Sequence, residues 1–279
     1  MSYKQHPKRQ KDTLRELNVR PTKERGQNFL IRPEVTESIA QFGELEPGRH
    51  IVEIGPGTGA LTTFLAPLAG TLTLVELEPR FCEHLRQAFP QAHVINRDVR
   101  SVDFSEIGSK LCVYGNIPYV FSTDIVFQLI KNRQSIEQVV LMTQREFAER
   151  LAADPGGRDY GSISVAVQLF ADIDLGPIVP GTAFHPPTAV ESQVLRMRFL
   201  AQPRVEVGDP QHFEKVVRCA FAQRRKKLIN SIISRGIWTK ETVLAALSRA
   251  GISPDVRPEQ LSMEQFAALA RELASPVSS

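Results

Sequence analysis

The stretch Val52-Glu53-Ile54-Gly55-Pro56-Gly57-Thr58-Gly59 is the strongest structural signal in this sequence of 279 residues. An apolar run precedes the glycines and the helical stretch 60–68 follows them, so we predict a strand, a turn and a helix. Glycines in such a turn let the backbone approach a ligand closely. The spacing lacks the Gly-x-Gly-x-x-Gly of dinucleotide sites and the Gly-Lys-Ser/Thr ending of phosphate loops. Glu53 disfavours a pyrophosphate and favours a ligand with ammonium and sulfonium groups.

Short apolar strands and helical stretches alternate downstream of this loop. Strands are predicted at 71–77, 93–96, 111–114 and 139–143, and helices at 80–89 and 122–131. This alternation is typical of an α/β fold, with a Rossmann-like, mostly parallel sheet that is covered by helices on both faces. We expect the stretches 162–170, 173–179 and 193–199 to complete the sheet, the last two as an antiparallel hairpin.

The chain is predicted to have three parts. Residues 1–24 are polar and basic and are interpreted as a flexible arm, and residues 25–200 carry the α/β domain. Residues 201–279 form a small all-helical domain, because apolar side chains recur there at helical spacing. Basic residues crowd the arm and the run Arg224, Arg225, Lys226 and Lys227, although the net charge is only +3. Such clusters suit a polyanion, or else they are a solvated tail and a solvated helix face.

The composition is that of an ordinary globular protein, with 42% hydrophobic and 23% charged residues. No apolar run approaches the roughly 20 residues of a membrane span, and no secretion signal is recognisable. The three cysteines are far apart and lack metal-site spacing, which favours a cytoplasmic protein without a metal. We expect a monomer that does not bind membranes.

Two carboxylates follow the next predicted strands. Glu76 ends the second strand and could accept hydrogen bonds from both ribose hydroxyls of an adenosine. Asp98 follows the third strand and could accept a hydrogen bond from the adenine amino group. Ligands bind at the carboxyl ends of strands in open α/β sheets. Taken alone, Glu76 would be a surface carboxylate at a strand end and Asp98 a turn residue. Together with Gly55 and Gly57, they favour a nucleoside cofactor.

The motif Asn116-Ile117-Pro118-Tyr119 follows the fourth strand and is typical of methyltransferases that act on conjugated amino groups. Acceptors for both hydrogens of adenine N6 make this amine nucleophilic, and the Asn116 oxygen and the carbonyl of Ile117 or Pro118 are candidates. Tyr119 offers a face for the base, and Phe184 is our candidate for a second wall. The alternatives are an ordinary turn beside a core tyrosine, and a core phenylalanine.

These residues give the chain a resemblance to the ribosomal RNA adenine N6-dimethyltransferases, over about residues 25–273. Several blocks carry it, in the expected order: Gly26-Gln27-Asn28-Phe29-Leu30, residues 52–59, Val75-Glu76-Leu77, residues 115–119, Tyr160-Gly161 with Ser164, Ala183-Phe184 with Pro186-Pro187, and residues 221–227. Several ordered blocks are far more specific than a single motif.

The resemblance implies a class I methyltransferase sheet that binds S-adenosylmethionine, with Gln27, Asn28 and Leu30 closing over it. It implies dimethylation of two adjacent adenines in a hairpin loop near the 3′ end of 16S rRNA, within the immature small ribosomal subunit. The helical domain would dock this rRNA, and its phosphates would be contacted by a cationic run comprising Arg224, Arg225, Lys226 and Lys227.

The motif departs from the family's commonest form, Asn-Leu-Pro-Tyr-Asn-Ile-Ser. This chain has Ile117, and Val120-Phe121 replaces the Asn-Ile pair. Ile117 is also typical of the macrolide-resistance enzymes that methylate adenine in large-subunit 23S rRNA, which are therefore one alternative. A second is a ribosome-assembly factor that binds RNA and methylates it only incidentally. The basic run and the helical domain favour the small-subunit enzymes.

Overall fold

The computed structural model describes residues 7–19, 28–223 and 225–274. They form two compact units. The first comprises the described residues up to Ala148 together with Ile173–Phe199, and the second comprises Glu149–Asp172 together with the described residues from Leu200 onward. No helix within these ranges is long and apolar enough to cross a membrane.

The first unit is built on a seven-stranded sheet. In chain order, the strands are β1 (Phe29–Leu30), β2 (Arg49–Ile54), β3 (Ala69–Glu76), β4 (His93–Asn96), β5 (Leu111–Asn116), β6 (Ile136–Gln144), β7 (Ala171–Val179), β8 (Phe184–His185) and β9 (Ser192–Phe199). The order in the sheet is β4-β3-β2-β5-β6-β9-β7, and β1 pairs with β8 separately. Strands β4, β3, β2, β5 and β6 are parallel, so their carboxyl ends share one edge. Strand β9 is antiparallel to β6.

Helices accompany the strands in the predicted alternation. In chain order, they are α1 (Pro7–Glu16), α2 (Pro33–Phe42), α3 (Thr62–Leu65), α4 (Pro79–Ala88), α5 (Ser122–Lys131), α6 (Arg145–Ala152), α7 (Ser162–Gln168), α8 (Pro210–Ala220), α9 (Leu228–Ile233), α10 (Lys240–Arg249) and α11 (Met263–Ala274). The helix predicted at 60–68 is shorter, and only the four residues of α3 are helical.

The central strands have the near-continuous apolar sequences that parallel sheets require, because both of their faces are covered. All residues of β5 except Asn116 are buried, and the last four residues of β2 are buried as well. The strands predicted at 71–77, 93–96, 111–114 and 139–143 are confirmed as β3 to β6. Strands β7 and β9, predicted at 173–179 and 193–199, are neighbours in the sheet.

Part of the predicted flexible arm is an ordered helix, which corrects the prediction. Helix α1 lies within residues 1–24, and Leu14 is only 3% exposed because it packs in the core of the first unit. Gln10 is buried too, and its side-chain oxygen accepts a hydrogen bond from the Thr58 hydroxyl in the glycine loop. The remaining arm residues, 1–6 and 20–24, lie outside the described residues.

The stretch 162–170 is not the predicted strand but contains helix α7. Ser164 caps this helix by accepting from the Gly161 N–H over 3.0 Å. Ser164 also donates to the carbonyl of Arg150 over 2.6 Å. Residues 149–172 belong to the second unit rather than to the predicted domain 25–200, because Val165 of α7 and Leu169 just after it pack into the helical core.

The second unit encloses its own hydrophobic core. Phe213, Val216 and Val217 face inward from α8, and Phe266 and Leu269 face inward from α11. Such spacing of three and four residues gives each helix one apolar face.

Candidate active site

A cavity opens at the carboxyl edge of the parallel strands, within the first unit. It is lined by Gly55 and Gly57 after β2, Glu76 at the end of β3, Asp98 after β4 and Asn116 at the end of β5. Because the strand order is β4-β3-β2-β5, Asp98 and Asn116 lie on opposite sides of the glycine loop. The structure thus brings the predicted cofactor and catalytic motifs to one site.

The glycine loop needs residues without side chains. Gly57 has a φ of 56° and Gly59 a φ of 83°, in the left-handed region that favours glycine. A Cβ atom at Gly59 would lie 2.6 Å from the Phe89 ring. Larger residues at these two positions would therefore disrupt the close packing of the loop against its neighbours.

Glu76 is fixed by two backbone N–H groups. Its Oε2 accepts from Gly57 over 3.0 Å and its Oε1 accepts from Glu78 over 2.9 Å. Burial raises the pKa of Glu76, and these hydrogen bonds oppose the rise. Each carboxylate oxygen can accept a further hydrogen bond, so Glu76 suits a pair of neighbouring hydroxyls.

Glu53 lines the same cavity and is only 2% exposed. The Thr62 hydroxyl donates to its Oε2 over 2.6 Å. Burial, reinforced by the nearby Glu76 carboxylate, raises the pKa of Glu53 to about 8. A cationic ligand would favour the ionised form of Glu53, since a buried carboxylate without a neighbouring positive charge is costly.

Asp98 is held by a residue that the sequence analysis did not single out. The Arg100 side chain donates to both carboxylate oxygens of Asp98, with Nη2 at 2.6 Å from Oδ2 and Nε at 3.1 Å from each oxygen. The Arg100 backbone N–H donates to Oδ1 over 2.9 Å. These hydrogen bonds from Arg100 lower the pKa of Asp98 and fix its orientation at the cavity.

Arg100 has a second neighbour in Phe121. The guanidinium carbon of Arg100 lies 4.2 Å from the centre of the Phe121 ring, within the range of a cation–π contact. Arg100 and Phe121 both line the cavity. In the sequence, Arg100 resembled a surface residue, and only the unusual aromatic residue at position 121 could have drawn attention to this pair.

The Asn116 side chain is oriented by the segment before β1. Its Nδ2 donates to the backbone carbonyl of Asn28 over 3.0 Å. A carbonyl can only accept, so the amide nitrogen faces Asn28 and the amide oxygen is turned the other way. This orientation leaves Asn116 Oδ1 as an acceptor in a residue that lines the cavity.

The turn after Asn116 is anchored at several points. The Ile117 N–H donates to the Met142 carbonyl over 3.2 Å, and the Tyr119 hydroxyl lies 2.6 Å from Ser192 Oγ. The Pro118 carbonyl accepts from the Phe121 N–H over 3.1 Å and from the Ser122 hydroxyl over 3.3 Å. Tyr119 and Pro118 both line the cavity. The turn is therefore held in position by hydrogen bonds to β6 and β9 and by hydrogen bonds within the segment 118–122.

Phe184, the predicted second wall, is not placed at the cavity. It is 2% exposed and packs in the core of the first unit, where β8 pairs with β1 and aligns Phe184 with Leu30. It therefore has no face to offer to a base in this structure. Asn28 and Leu30 line the cavity, and Gln27 lies outside the described residues.

With this geometry established, comparison with known proteins identifies the family. The sequence profile of the ribosomal RNA adenine dimethylases matches residues 19–275. The chain belongs to this family. It is 40% identical to the ribosomal RNA small subunit methyltransferase A of Geobacter metallireducens, over 93% of this chain and 98% of the relative. The corresponding protein of Bacillus cytotoxicus is 36% identical, over 96% of each chain.

Two solved structures share the fold of this chain. The 23S rRNA methyltransferase ErmE is 27% identical with a TM-score of 0.67, and the alignment covers 89% of this chain and 100% of ErmE. A dimethyladenosine transferase from Plasmodium falciparum is 23% identical with a TM-score of 0.75, over 86% and 95% of the two chains. The predicted α/β methyltransferase fold is confirmed.

The predicted cationic run of this dimethylase family member is exposed where it is described. Arg225, Lys226 and Lys227 are exposed, and Arg224 lies outside the described residues. Lys227 Nζ lies 2.6 Å from Asp255 Oδ1, so part of its charge is already neutralised. In the described ranges, no group of histidine, cysteine, aspartate and glutamate residues is arranged to hold a metal ion.

A second group of cations surrounds a concavity in the second unit. Lys215 and Arg218 contribute from α8, and Arg235 contributes from the turn after α9. Lys215 Nζ lies 5.6 Å from the centre of the Trp238 ring, and Asp209 is an acidic residue in the same lining. We call this surface the α8 concavity. Its cations come from two separate segments, α8 and the turn after α9, so the sequence alone does not reveal it.

Proposed function

We propose that this chain uses S-adenosylmethionine to dimethylate the N6 of two adjacent adenines, in a hairpin loop near the 3′ end of 16S rRNA. The immature small ribosomal subunit is the proposed substrate, and the reaction is placed in the cytoplasm with a monomeric enzyme. The observation that carries this proposal is the oriented Asn116 side chain at the edge of the cavity. Relatives named small subunit methyltransferase A support the choice of rRNA.

The cavity fits the proposed cofactor. Glu76 is held in place and can accept hydrogen bonds from a ribose diol, and Asp98 could accept one from an adenine amine. A cationic ligand would favour the ionised form of Glu53. Gly55 and Gly57 allow close approach of the backbone, and Asn28 and Leu30 lie at the same cavity. When bound there, S-adenosylmethionine supplies an activated methyl group. Gln27 is proposed to complete the closure.

The residues of the turn would prepare the adenine amine for attack. Asn116 Oδ1 accepts one N6–H, and we propose the Ile117 carbonyl as the acceptor of the other. The Pro118 carbonyl is the weaker candidate because it already accepts two hydrogen bonds. Tyr119 stacks on the base, with its hydroxyl held by Ser192. These contacts shift the amine toward a pyramidal, nucleophilic form, and the proton leaves to water without a general base.

The target adenine must leave its stack to reach Asn116. We propose that Arg224, Arg225, Lys226 and Lys227 contact rRNA phosphates, together with the α8 concavity. These contacts position the RNA and do not read its sequence. Tyr119 lines the cavity, whereas Phe184 is buried in the core of the first unit, so we assign base stacking to Tyr119.

A methylation assay tests the proposal. Immature small subunits from a strain that lacks this protein serve as substrate, and dimethyladenosine is mapped in the rRNA. The Asn116→Ala variant is expected to bind RNA normally and to lose methylation by roughly 100-fold, because it lacks one acceptor for the reacting amine. The control is Asn230→Ala, an exposed asparagine of the second unit, which should keep full activity.

The same assay separates the alternatives. Large-subunit RNA tested in parallel would become the methylated species if the chain acted like a 23S enzyme, an alternative favoured by Ile117 and by the likeness to ErmE. Unchanged incorporation by Asn116→Ala would contradict the mechanism. Normal RNA binding by a wild-type protein that incorporates no methyl groups would point instead to a binding factor.

A further inference from the structure

Arg100 occupies a position that joins two parts of the active site. Its guanidinium group donates to both oxygens of Asp98 and lies 4.2 Å from the centre of the Phe121 ring. Asp124 is a more distant acidic neighbour, at 3.9 Å. The Arg100 side chain is 38% exposed, so one of its sides faces solvent and the other is committed to these partners.

The strand order makes this contact a bridge. Asp98 follows β4 and the Asn116 turn follows β5, and both β3 and β2 lie between them in the sheet. Phe121 belongs to the segment that continues the Asn116 turn, yet its ring touches a residue that follows β4. The Arg100–Phe121 contact therefore spans the cavity, from the side of Asp98 to the side of Asn116.

A second set of contacts supports the same connection. Helix α5 follows Phe121 directly and packs against the short helical turn Val99–Ser101, which contains Arg100. Gln128 on α5 donates to the Val102 carbonyl over 2.7 Å. The backbone around Arg100 is thus held in place while its side chain bridges the carboxylate and the ring.

We propose that Arg100 is a positioning residue that couples binding of the methyl donor at Asp98 to the order of the catalytic turn through Phe121. This inference rests on the proposed function. Asp98 can meet an adenine amine in only one orientation once Arg100 holds both of its oxygens. The flat ring of Phe121 then holds the guanidinium. A ligand that orders the Asp98 side chain therefore also orders the segment that begins at Asn116.

The contact depends on the aromatic ring and not only on apolar bulk. Leucine or isoleucine at position 121 would still line the cavity but would offer no π face to the guanidinium. Isoleucine stands at this position in the commonest form of the turn that this chain resembles. The coupling is therefore expected to be a property of chains that carry both Arg100 and Phe121.

The test uses the full-length variants Arg100→Met, Phe121→Leu and the double substitution. Binding of S-adenosylhomocysteine is measured by calorimetry, and hydrogen exchange of residues 115–122 is measured with and without this ligand. We expect each single variant to weaken binding roughly 5- to 10-fold and the double variant to be no weaker than the worse single one, because both act through one contact. The ligand is expected to slow exchange of the turn in the wild-type protein and much less in the variants.

The control is Arg86→Met, which removes an exposed cation from α4 and should leave both measurements unchanged. Additive losses in the double variant would overturn the coupling, as would equal protection of the turn in Arg100→Met and wild type. Both results could occur in a protein that binds the ligand and methylates rRNA, so they would leave the proposed function standing. A wild-type protein that neither binds nor methylates would instead contradict the proposed function.

Discussion

Glu53 is the residue whose ionisation most directly reports on the cavity. Its buried position raises its pKa from 4.5 to about 8, so the carboxyl is mostly protonated at neutral pH in the free protein. A ligand with a positive charge at this site stabilises the ionised form and lowers that pKa again. Binding must then release protons at pH values between the lowered pKa of the complex and about 8.

We predict that the affinity for S-adenosylmethionine rises with pH up to about 8, by at most roughly tenfold per unit, and then levels off. Glu53→Gln should bind more weakly and show a flatter dependence, since glutamine has no proton to release. Calorimetry in two buffers of different ionisation enthalpy counts the protons. Equal proton release by the two proteins would rule out Glu53 as the source.

The same shift has a consequence for folding. A carboxyl whose pKa is higher in the folded protein favours folding fully only below its unfolded value, and this contribution is lost as pH rises through the folded pKa. The wild-type protein should thus lose stability between about pH 4.5 and 8 on account of Glu53. Glu53→Gln should show a larger gain in Tm relative to wild type at pH 8 than at pH 5, and thermal unfolding monitored by circular dichroism measures it. A gain that is the same at both pH values would contradict the shift.

Not every residue of the site could be predicted from the sequence. Glu76 and Asn116 end strands and Asp98 follows one, and parallel strands bring their carboxyl ends together, so their convergence follows from the pattern alone. Whether an apolar residue such as Phe184 faces a cavity or a core depends on packing that one sequence does not specify. Arg100 was missed because Phe121 becomes its neighbour only once β4 and β5 lie in one sheet.

At the scale of elements, α1 is the main departure from the sequence analysis. Its residues are mostly polar, so the sequence predicts a mobile segment, but among its described side chains Leu14 and Gln10 are buried against the rest of the unit. Helix α7 was misassigned for a related reason. Its alternating pattern fits a strand, and its burial in the helical core overrides that local preference.

We predict that Leu14→Ala lowers the free energy of unfolding by about 2–4 kcal/mol, because it removes a core side chain and leaves a cavity. Glu16→Ala, an exposed site on the same helix, serves as the control and should have little effect. Urea denaturation measures both. A change of similar size in the two variants would mean that α1 contributes through helix propensity and not through packing.

At the scale of the whole molecule, the distribution of charge matters more than its total. The net charge of +3 is small, yet cations gather in the run 225–227 and around the α8 concavity. Affinity for nucleic acid depends on the phosphates that such clusters neutralise, and each released counterion adds to the salt dependence. The folded chain creates the α8 concavity by bringing α8 and the turn after α9 together.

We predict that Lys215→Gln, Arg218→Gln and Arg235→Gln combined weaken rRNA binding and flatten the plot of log affinity against log salt by about 2. The matched control replaces Lys240, Arg249 and Arg271 with glutamine. These residues are exposed cations of the same unit that do not line the concavity. Filter binding over a range of salt concentrations measures both slopes. Equal slopes for the two triple variants would remove the α8 concavity from the RNA-binding surface.

The pairing of β1 with β8 affects how a mutational screen of this protein should be interpreted. Phe184 aligns with Leu30, two residues after the carbonyl that holds the Asn116 amide. Loss of the phenylalanine ring would remove packing that holds β1 in place. The Asn116 side-chain amide could then rotate. An alanine scan scored only by turnover would then rank Phe184 among the catalytic side chains, although its ring packs in the core of the first unit and does not line the cavity.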